Sequence, residues 1–270
     1  MGYAELVPSL DDRVLRPLVA CTWAMSGPGP AHRVLPDGCI DVLVLGHGRP
    51  EAARVVGTMK RAFVAPARRG AVFGIRFRPG EAARLLPAAA RELTDGEAPL
   101  GALWGDEGRA LEDALVELLH AAVAKQLSAE QILARANLVV ESTLRARLAA
   151  QAAAVDLRMR AATEMLAGGD AVSVVAKRVA LSERQLTRRF TERVGIAPKT
   201  FARVIRLQRA AALLADGVSP SAAASLAGYA DQAHFTRDSS DLAGITPGAL
   251  AREQRRDVSD SFKTDLAVAS

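Results

Sequence analysis

The chain has 270 residues and a net charge of +5; half of its residues are apolar and only 4% are aromatic. This length suits two ordinary domains, and the apolar share excludes gross disorder. No apolar run reaches the roughly 18–20 residues that span a bilayer, and no secretory leader pattern opens the chain, so we expect no membrane partner. Two cysteines without a Cys-x-x-Cys pair and four scattered histidines argue against a zinc site or a disulfide framework and favour the cytoplasm.

The first hundred residues have the pattern of β-strands. Residues 33–46 place a Pro-Asp-Gly turn before a run of β-branched residues and leucine, and residues 71–80 alternate apolar with basic side chains. A Pro-Gly pair then predicts a change to a short helix with the sequence EAARLL.

Two sets of polar residues in these strands are candidates for an effector site. Arg76 and Arg78 share one face of a predicted strand, where an arginine pair suits an anionic ligand, and Cys39 and Asp41 share another face. The alternative for the arginines is a solvated strand face. The cysteines, Cys21 included, are either sensors of oxidants or thiol-reactive metals, or small buried hydrophobic residues.

Helices follow from Arg109 to about Gln151, where leucines recur at helical spacing. Ser128 with Gln131 has the sequence of a capping box and predicts the start of the second of these helices. The leucine-rich faces either complete an N-terminal core or form the seam of a homodimer. A third helix is expected over residues 156–167.

Beyond residue 170 the chain repeats itself. Residues 182–198 (SERQLTRRFTERVGIAP) align with residues 231–247 (DQAHFTRDSSDLAGITP) at an offset of 49, and the agreement continues upstream at an offset of 48. Each copy has the pattern of a helix, a tight turn and a second helix. Residues 198–217 between the copies predict one linker helix about 28 Å long, since a helix rises ~1.5 Å per residue.

Capping residues predict where the helices of both copies begin. In the first copy, Ser173 is expected to cap the first helix, and Ser182 with Gln185 forms a capping box for the second. In the second copy, the expected N-caps are Ser219, which precedes a proline, and Asp231.

The second helix of the first copy has an inward face and a free face. Leu186 and Phe190 lie four residues apart and should point inward, which leaves a polar face. That face carries Arg184, Gln185, Thr187 and Arg188. Arg can bond a guanine edge and Gln an adenine edge through paired hydrogen bonds, which suits the major groove of double-stranded DNA. The alternative is a solvated face on a structural hairpin; the tandem repeat favours DNA.

Charge supports a polyanionic partner at this end of the chain. Residues 156–256 hold 16 Lys and Arg against 10 Asp and Glu, whereas residues 1–155 hold 18 against 17. The tail at 257–270 holds one against three. The positive charge therefore lies with the repeat.

Residues 156–252 resemble the AraC/XylS family of regulators through SERQLTRRF, PKTFARVIRLQRA and GYADQAHFTRD…GITP. The resemblance implies two helix-turn-helix units, at about 156–197 and 217–252, bridged by a linker helix at about 198–216. It implies a monomer that reads adjacent major-groove segments. RNA polymerase is a further expected partner, and activation and repression of transcription are both left open as outputs. The base-reading positions that it implies are Arg184, Thr187 and Arg188 in the first unit, and Gln232, His234, Thr236 and Arg237 in the second.

The second unit departs from the family pattern at residues 239–241, where Ser-Ser-Asp replaces a large apolar residue followed by basic ones. Phe190 is matched by Ser239, so we expect the second unit to lose a core anchor. Residues 177–209 hold ten Lys and Arg against two Glu, whereas residues 210–250 hold only Arg237 against four Asp. We therefore hypothesise that the first unit supplies most of the DNA affinity.

The N-terminal sequence resembles an uncharacterised sensory domain found ahead of such DNA-binding halves in bacteria, through RVLPDGCIDVLVL, FGIRFRPGEAARLL and LTDGEAPLGALWG. This implies an unknown small-molecule effector or dimerisation. The expected fold class is α+β: a mixed, β-rich sensory domain over 1–150 that ends in helices, then an all-α domain over 156–256 with two helix-turn-helix units joined by a long helix.

Two other hypotheses compete with that of a ligand-responsive regulator. One is a constitutive architectural DNA-binding protein whose N-terminal half only oligomerises. The other is a DNA repair methyl-acceptor, which needs a thiolate activated by a cysteine cluster around zinc. Because the two cysteines have no such partners, and because no Gly-rich phosphate loop or nucleophile elbow occurs, we predict no enzyme, catalytic residue, metal or cofactor.

Overall fold

The computed structural model describes residues 2–8, 12–46, 51–151 and 155–257. His47 and the predicted tail from residue 258 onward lie outside these ranges, as does part of the predicted boundary near residue 150.

The N-terminal part is built on a six-stranded antiparallel sheet with the strand order β1-β2-β7-β4-β5-β8. In chain order the strands are β1 (Gly2–Leu6), β2 (Val19–Ser26), β3 (His32–Val34), β4 (Ile40–Leu45), β5 (Ala53–Val56), β6 (Phe63–Ala65), β7 (Val72–Phe77) and β8 (Glu97–Pro99). The β3 and β6 strands form a separate two-stranded sheet. The turn ahead of β4 uses Gly38 at a φ of +81°, which only glycine adopts without strain.

Two long helices, α1 (Leu100–Ala124) and α2 (Ala129–Gln151), cover one face of the large sheet. The helical region begins nine residues before the predicted Arg109, and the predicted Ser128–Gln131 capping box is confirmed by both of its hydrogen bonds. Leu111, Leu115 and Leu119 are buried in the core beneath the sheet. They complete the N-terminal core, and these leucines are not free for a dimer seam. The predicted EAARLL helix is only a 3-10 turn at Ala82–Arg84, because a proline follows it.

The C-terminal part is all-α, as predicted. Its helices are α3 (Leu157–Gly168), α4 (Val172–Arg178), α5 (Glu183–Val194), α6 (Pro198–Ala215), α7 (Pro220–Leu226), α8 (Gln232–Asp238) and α9 (Pro247–Asp257), with a π-helix at Ser239–Ala243 between the last two. They share a second hydrophobic core. The α+β class, with a β-rich part ahead of a helical part, is confirmed. No helix in the described ranges is long and apolar enough to cross a membrane.

Three of the four N-caps predicted in the C-terminal part are confirmed. Ser182 forms its capping box with Gln185, and Ser219 and Asp231 each accept a hydrogen bond from the third helical residue. Ser173 is wrong as a cap: α4 begins two residues earlier than predicted, at Val172, and its N-cap position is held by Ala171, whose side chain cannot cap. The backbone carbonyl of Ala171 starts the helix instead.

The N-terminal part docks on the first helix-turn-helix unit where α5 ends. The Thr58 hydroxyl donates to the Val194 carbonyl at 2.5 Å, and the Thr94 hydroxyl donates to the Gly195 carbonyl at 2.7 Å. Because these carbonyls belong to the C-terminal end of α5, this contact leaves the N-terminal half of that helix uncovered.

A second contact joins the N-terminal part to the π-helix. Arg61 pairs with Asp241 at 2.8 Å, and the Ala62 backbone N–H donates to the Leu242 carbonyl at 2.7 Å. Arg33 donates to the Ala243 carbonyl at 3.0 Å. Both helix-turn-helix units are therefore held by the N-terminal part.

Candidate DNA-binding surface

The core side chains of α5 fix its orientation. Leu186, Phe190 and Val194 are fully buried. The Phe190 ring meets the edge of Phe201 on α6 at a centroid distance of 5.4 Å, a favourable aromatic geometry. The buried stripe of α5 thus lies against the linker helix, and the opposite face is left to solvent.

The four predicted residues of the first unit lie together on that solvent face. Arg184, Gln185, Thr187 and Arg188 are all exposed. Gln185 is partly committed, since its side-chain oxygen accepts from the Ser182 backbone N–H at 2.9 Å. A paired contact of Gln185 with adenine would therefore require the capping box to open, whereas Arg184 and Arg188 have no salt bridge to any described residue.

Sequence reasoning did not single out three further cations of this unit and the linker helix. Arg189 on α5, Lys177 on α4 and Lys199 on α6 are exposed and form no salt bridge within the described part of the chain. The sequence indicated them only through a local excess of basic residues, which does not identify individual positions. They are candidates for contacts to phosphates, which need charge but little geometry.

The predicted residues of the second unit are less available. Gln232 and Arg237 on α8 are exposed. The Thr236 hydroxyl donates within the helix to the Gln232 carbonyl at 2.8 Å. His234 is half-buried; its ring meets the edge of Tyr229 at 5.1 Å, and its Nε2 atom lies 3.5 Å from a guanidinium nitrogen of Arg206. Two of the four residues are thus engaged inside the protein.

Ser239 takes the position that Phe190 holds in the first unit. It is fully buried, and its hydroxyl donates to the Ile245 carbonyl at 2.7 Å. The buried polar group is therefore satisfied, but an aromatic anchor is missing. The chain adopts the π-helix from this residue onward, and Leu242 of that helix is buried in the helical core.

Acidic residues of the second unit neutralise a cation of the linker helix. Arg203 on α6 donates to Asp238 at 3.0 Å and to Asp241 at 2.8 Å. Hydrogen bonds from Arg203 and Arg61 lower the pKa of Asp241 below its ordinary value, so this carboxylate is ionised at neutral pH. The network reduces the positive potential that the second unit offers to DNA.

The predicted effector residues do not form one group. Arg76 on β7 makes a two-pronged ion pair with Asp41 on β4, at 3.1 and 2.9 Å, and a third contact at 3.3 Å with Asp37. Arg76 is only 8% exposed, so the alternative of a solvated strand face does not hold for it. Arg78 lies past the end of β7 and donates to the Arg16 carbonyl at 2.8 Å.

Both cysteines are buried, and they are not joined in a disulfide. Cys39 donates its backbone N–H to Asp37, and Cys21 packs with Trp23 and Met25 on the outer face of the large sheet. Burial raises the pKa of both thiols well above the ordinary value. Such thiols are the opposite of the activated thiolate that a methyl-acceptor needs.

Comparison with known proteins gives two family matches. Residues 175–253 match a family model described as a helix-turn-helix domain, and residues 8–99 match one described as a domain of unknown function, DUF6597. No curated protein sequence matches the chain.

Similar solved structures were also found. The C-terminal domain of AraT, a response regulator from Geobacillus stearothermophilus, is 22% identical, with 37% of this chain and 88% of that chain covered and a TM-score of 0.35. ToxT from Vibrio cholerae bound to (E)-4-(8-methylnaphthalen-1-yl)but-3-enoic acid is 10% identical, with 94% and 100% covered and a TM-score of 0.43. An apo variant of ToxT is 12% identical, with 94% and 98% covered and a TM-score of 0.43.

Two helix pairs, each with a capped second helix, lie on a common linker helix and define a tandem helix-turn-helix module. This C-terminal module is an AraC-type helix-turn-helix domain, and it follows a DUF6597 domain. The predicted resemblance is confirmed for this domain, which is of the kind found in DNA-binding regulators of transcription.

Proposed function

We propose that this protein is a sequence-specific regulator in which the first helix-turn-helix unit supplies most of the DNA affinity and a small effector at the N-terminal domain modulates the output. The observation that carries the proposal is the arrangement of α5. Its Leu186 and Phe190 side chains are buried, while Arg184 and Arg188 are exposed and form no salt bridge to described residues. A helix held in this way can enter the major groove with its guanidinium groups free.

Local charge supports the unequal contribution of the two units. Several exposed cations of the first unit and linker are without a salt bridge in the described part of the chain, among them Lys177, Arg184, Arg188, Arg189 and Lys199. On α8 the corresponding cation is Arg237, and Asp238 and Asp241 follow it closely. Because attraction to phosphates follows local charge, the first unit should dominate affinity and the second should act as a check on register.

The side chains also suggest which bases are read. Arg184 and Arg188 suit the two acceptors of guanine, whereas Gln185 is held in the capping box. We therefore expect guanine-containing contacts at the first half-site.

The docked N-terminal domain leaves the face of α5 exposed. Its contacts reach the end of α5 through Thr58 and Thr94, and the π-helix through Arg61. An effector therefore would not need to uncover the first unit. We infer that it acts by changing how the second unit is placed relative to the first.

Selection of genome fragments with the purified full chain tests this function. We expect enrichment of fragments that share one motif, and loss of that enrichment for the double variant Arg184→Ala/Arg188→Ala. The matched control is Arg135→Ala, since Arg135 is an exposed arginine on α2, away from the helix-turn-helix units. Retention of many fragments with no common motif would instead support a constitutive architectural protein and overturn sequence-specific regulation.

A further inference from the structure

A cavity of about 700 Å³ lies where the N-terminal domain meets the π-helix. Its apolar lining comes from both sides: Val56, Met59 and Phe63 from the N-terminal domain and Leu242 from the π-helix. Phe63 is 46% exposed, which is unusual for so large an apolar side chain. The size falls within the roughly 300–1,000 Å³ typical of small-molecule sites, and the position between domains is a common one for them.

Two cations that line this cavity are exposed, and each forms an ion pair. Lys60 pairs with Asp95 at 3.2 Å, and its side chain is 55% exposed. Arg61 pairs with Asp241 at 2.8 Å, and its side chain is 74% exposed. Exposed ion pairs of this kind contribute little to stability, so both cations can exchange partners at small cost.

The carboxylates on the cavity wall each have another partner. Asp95 accepts the backbone N–H of Lys60 at 2.7 Å, and Asp241 accepts from Arg203 at 2.8 Å. Glu97 pairs with Arg54 at 2.7 Å. If Lys60 and Arg61 turned to a ligand, no carboxylate would be left unpaired. The side chains of Lys60 and Arg61 are also more exposed than those of the three carboxylates, so an entering ligand meets positive charge first, which favours an anion.

We propose that this cavity is the effector site and that it takes a singly charged organic acid with an apolar body. The acid group is bound by Lys60 and Arg61, and the apolar body lies against Phe63, Met59 and Leu242. The proposal rests on the proposed function, since it gives that function's effector a location and a chemical class. It replaces the strand residues Cys39, Asp41, Arg76 and Arg78 as the candidate site.

The site explains how a ligand would reach the second helix-turn-helix unit. Arg61 joins the N-terminal domain to Asp241 of the π-helix. When Arg61 turns to the acid, Asp241 keeps Arg203 but loses its ion pair with the N-terminal domain, while the hydrogen bonds from Ala62 and Arg33 to the π-helix remain. Ligand binding is therefore coupled through Arg61 to one of the contacts that dock the second unit.

Fluorescence titration of the full chain with anilinonaphthalene sulfonate, an aromatic monoanion, tests the site without DNA. The uncharged comparison probe is phenylnaphthylamine, which has the same apolar body without the acid. We expect saturable binding of the anion at one site. For Lys60→Gln/Arg61→Gln we expect a rise in its Kd of roughly ten-fold or more, because two charge-assisted contacts are lost. The Kd of the uncharged probe should change by less than about two-fold, as expected for a probe without charge-assisted contacts.

Two further variants complete the test. Phe63→Ala should weaken both probes, and Arg135→Gln, on the far helix α2, should weaken neither. Absence of saturable binding, an unchanged anion Kd in the double variant, or an equal loss for both probes in that variant would each overturn the proposal. Because the titration contains no DNA, such a result would leave the DNA-binding function to be judged by fragment selection.

Discussion

Substitution of one exposed arginine in each recognition helix should have unequal effects. Arg188 on α5 is exposed and without a salt bridge to described residues, and it lies among several other free cations. Its replacement by alanine removes a contact of about 1–3 kcal/mol, which raises Kd roughly 5- to 150-fold. Arg237 on α8 is also exposed, but Asp238 follows directly and Asp241 lies three residues further. For Arg237→Ala we expect a rise of no more than about three-fold, less than one typical contact.

The assay is fluorescence anisotropy with a duplex recovered from the fragment selection, repeated over a series of salt concentrations. Arg188→Ala should also reduce the slope of log Kd against log salt by about 1 if the side chain contacts phosphate, and leave the slope nearly unchanged if it reads a base. Arg135→Ala is the control for loss of charge far from the helix-turn-helix units. Equal losses of affinity for Arg188→Ala and Arg237→Ala would refute the dominance of the first unit.

Two other predictions concern the fold and the thiols. Gly38→Ala and Gly27→Ala both place alanine at positive φ, a strain of about 1–2 kcal/mol. A Cβ on Gly38 would also lie 2.5 Å from the Phe201 ring, whereas one on Gly27 meets no described atom within 4 Å. Urea unfolding should therefore show a larger loss for Gly38→Ala, by about 1–3 kcal/mol; equal losses would contradict the domain contact. Cys21 and Cys39 should react slowly with dithiobis-nitrobenzoate in the native chain at pH 8 and fully in urea, because burial raises both pKa values. Rapid native reaction would contradict this burial.

Local signals predicted most of the helical domain. A capping box such as that of Ser182 and Gln185 is made by residues three apart, so the sequence contains all of its parts. The linker helix Pro198–Ala215 follows in the same way from its proline start and its apolar spacing. The prediction of an N-cap at Ser173 was wrong because the backbone conformation at Ala171, and not a capping side chain, decides where that short helix begins.

Long-range pairing was beyond sequence reasoning. Arg76 meets Asp41 because β7 lies beside β4 in the sheet, although 35 residues separate them in the chain. Arg61 and Asp241 are 180 residues apart and meet only when the two domains dock. The cavity between the domains depends on that docking, so single-chain patterns could indicate exposed cations but not their common site.

Regulation by this chain depends most directly on contact between the first helix-turn-helix unit and DNA. Its sharpest test is the salt dependence of binding of the folded full chain to duplex DNA, compared with Arg184→Ala/Arg188→Ala. We predict affinity that falls steeply with salt for the natural chain, and a clearly weaker affinity for the double variant at every salt concentration. If the folded chain shows no salt-sensitive binding to any duplex, with or without added organic acids, or if the double variant binds as well, the account is wrong.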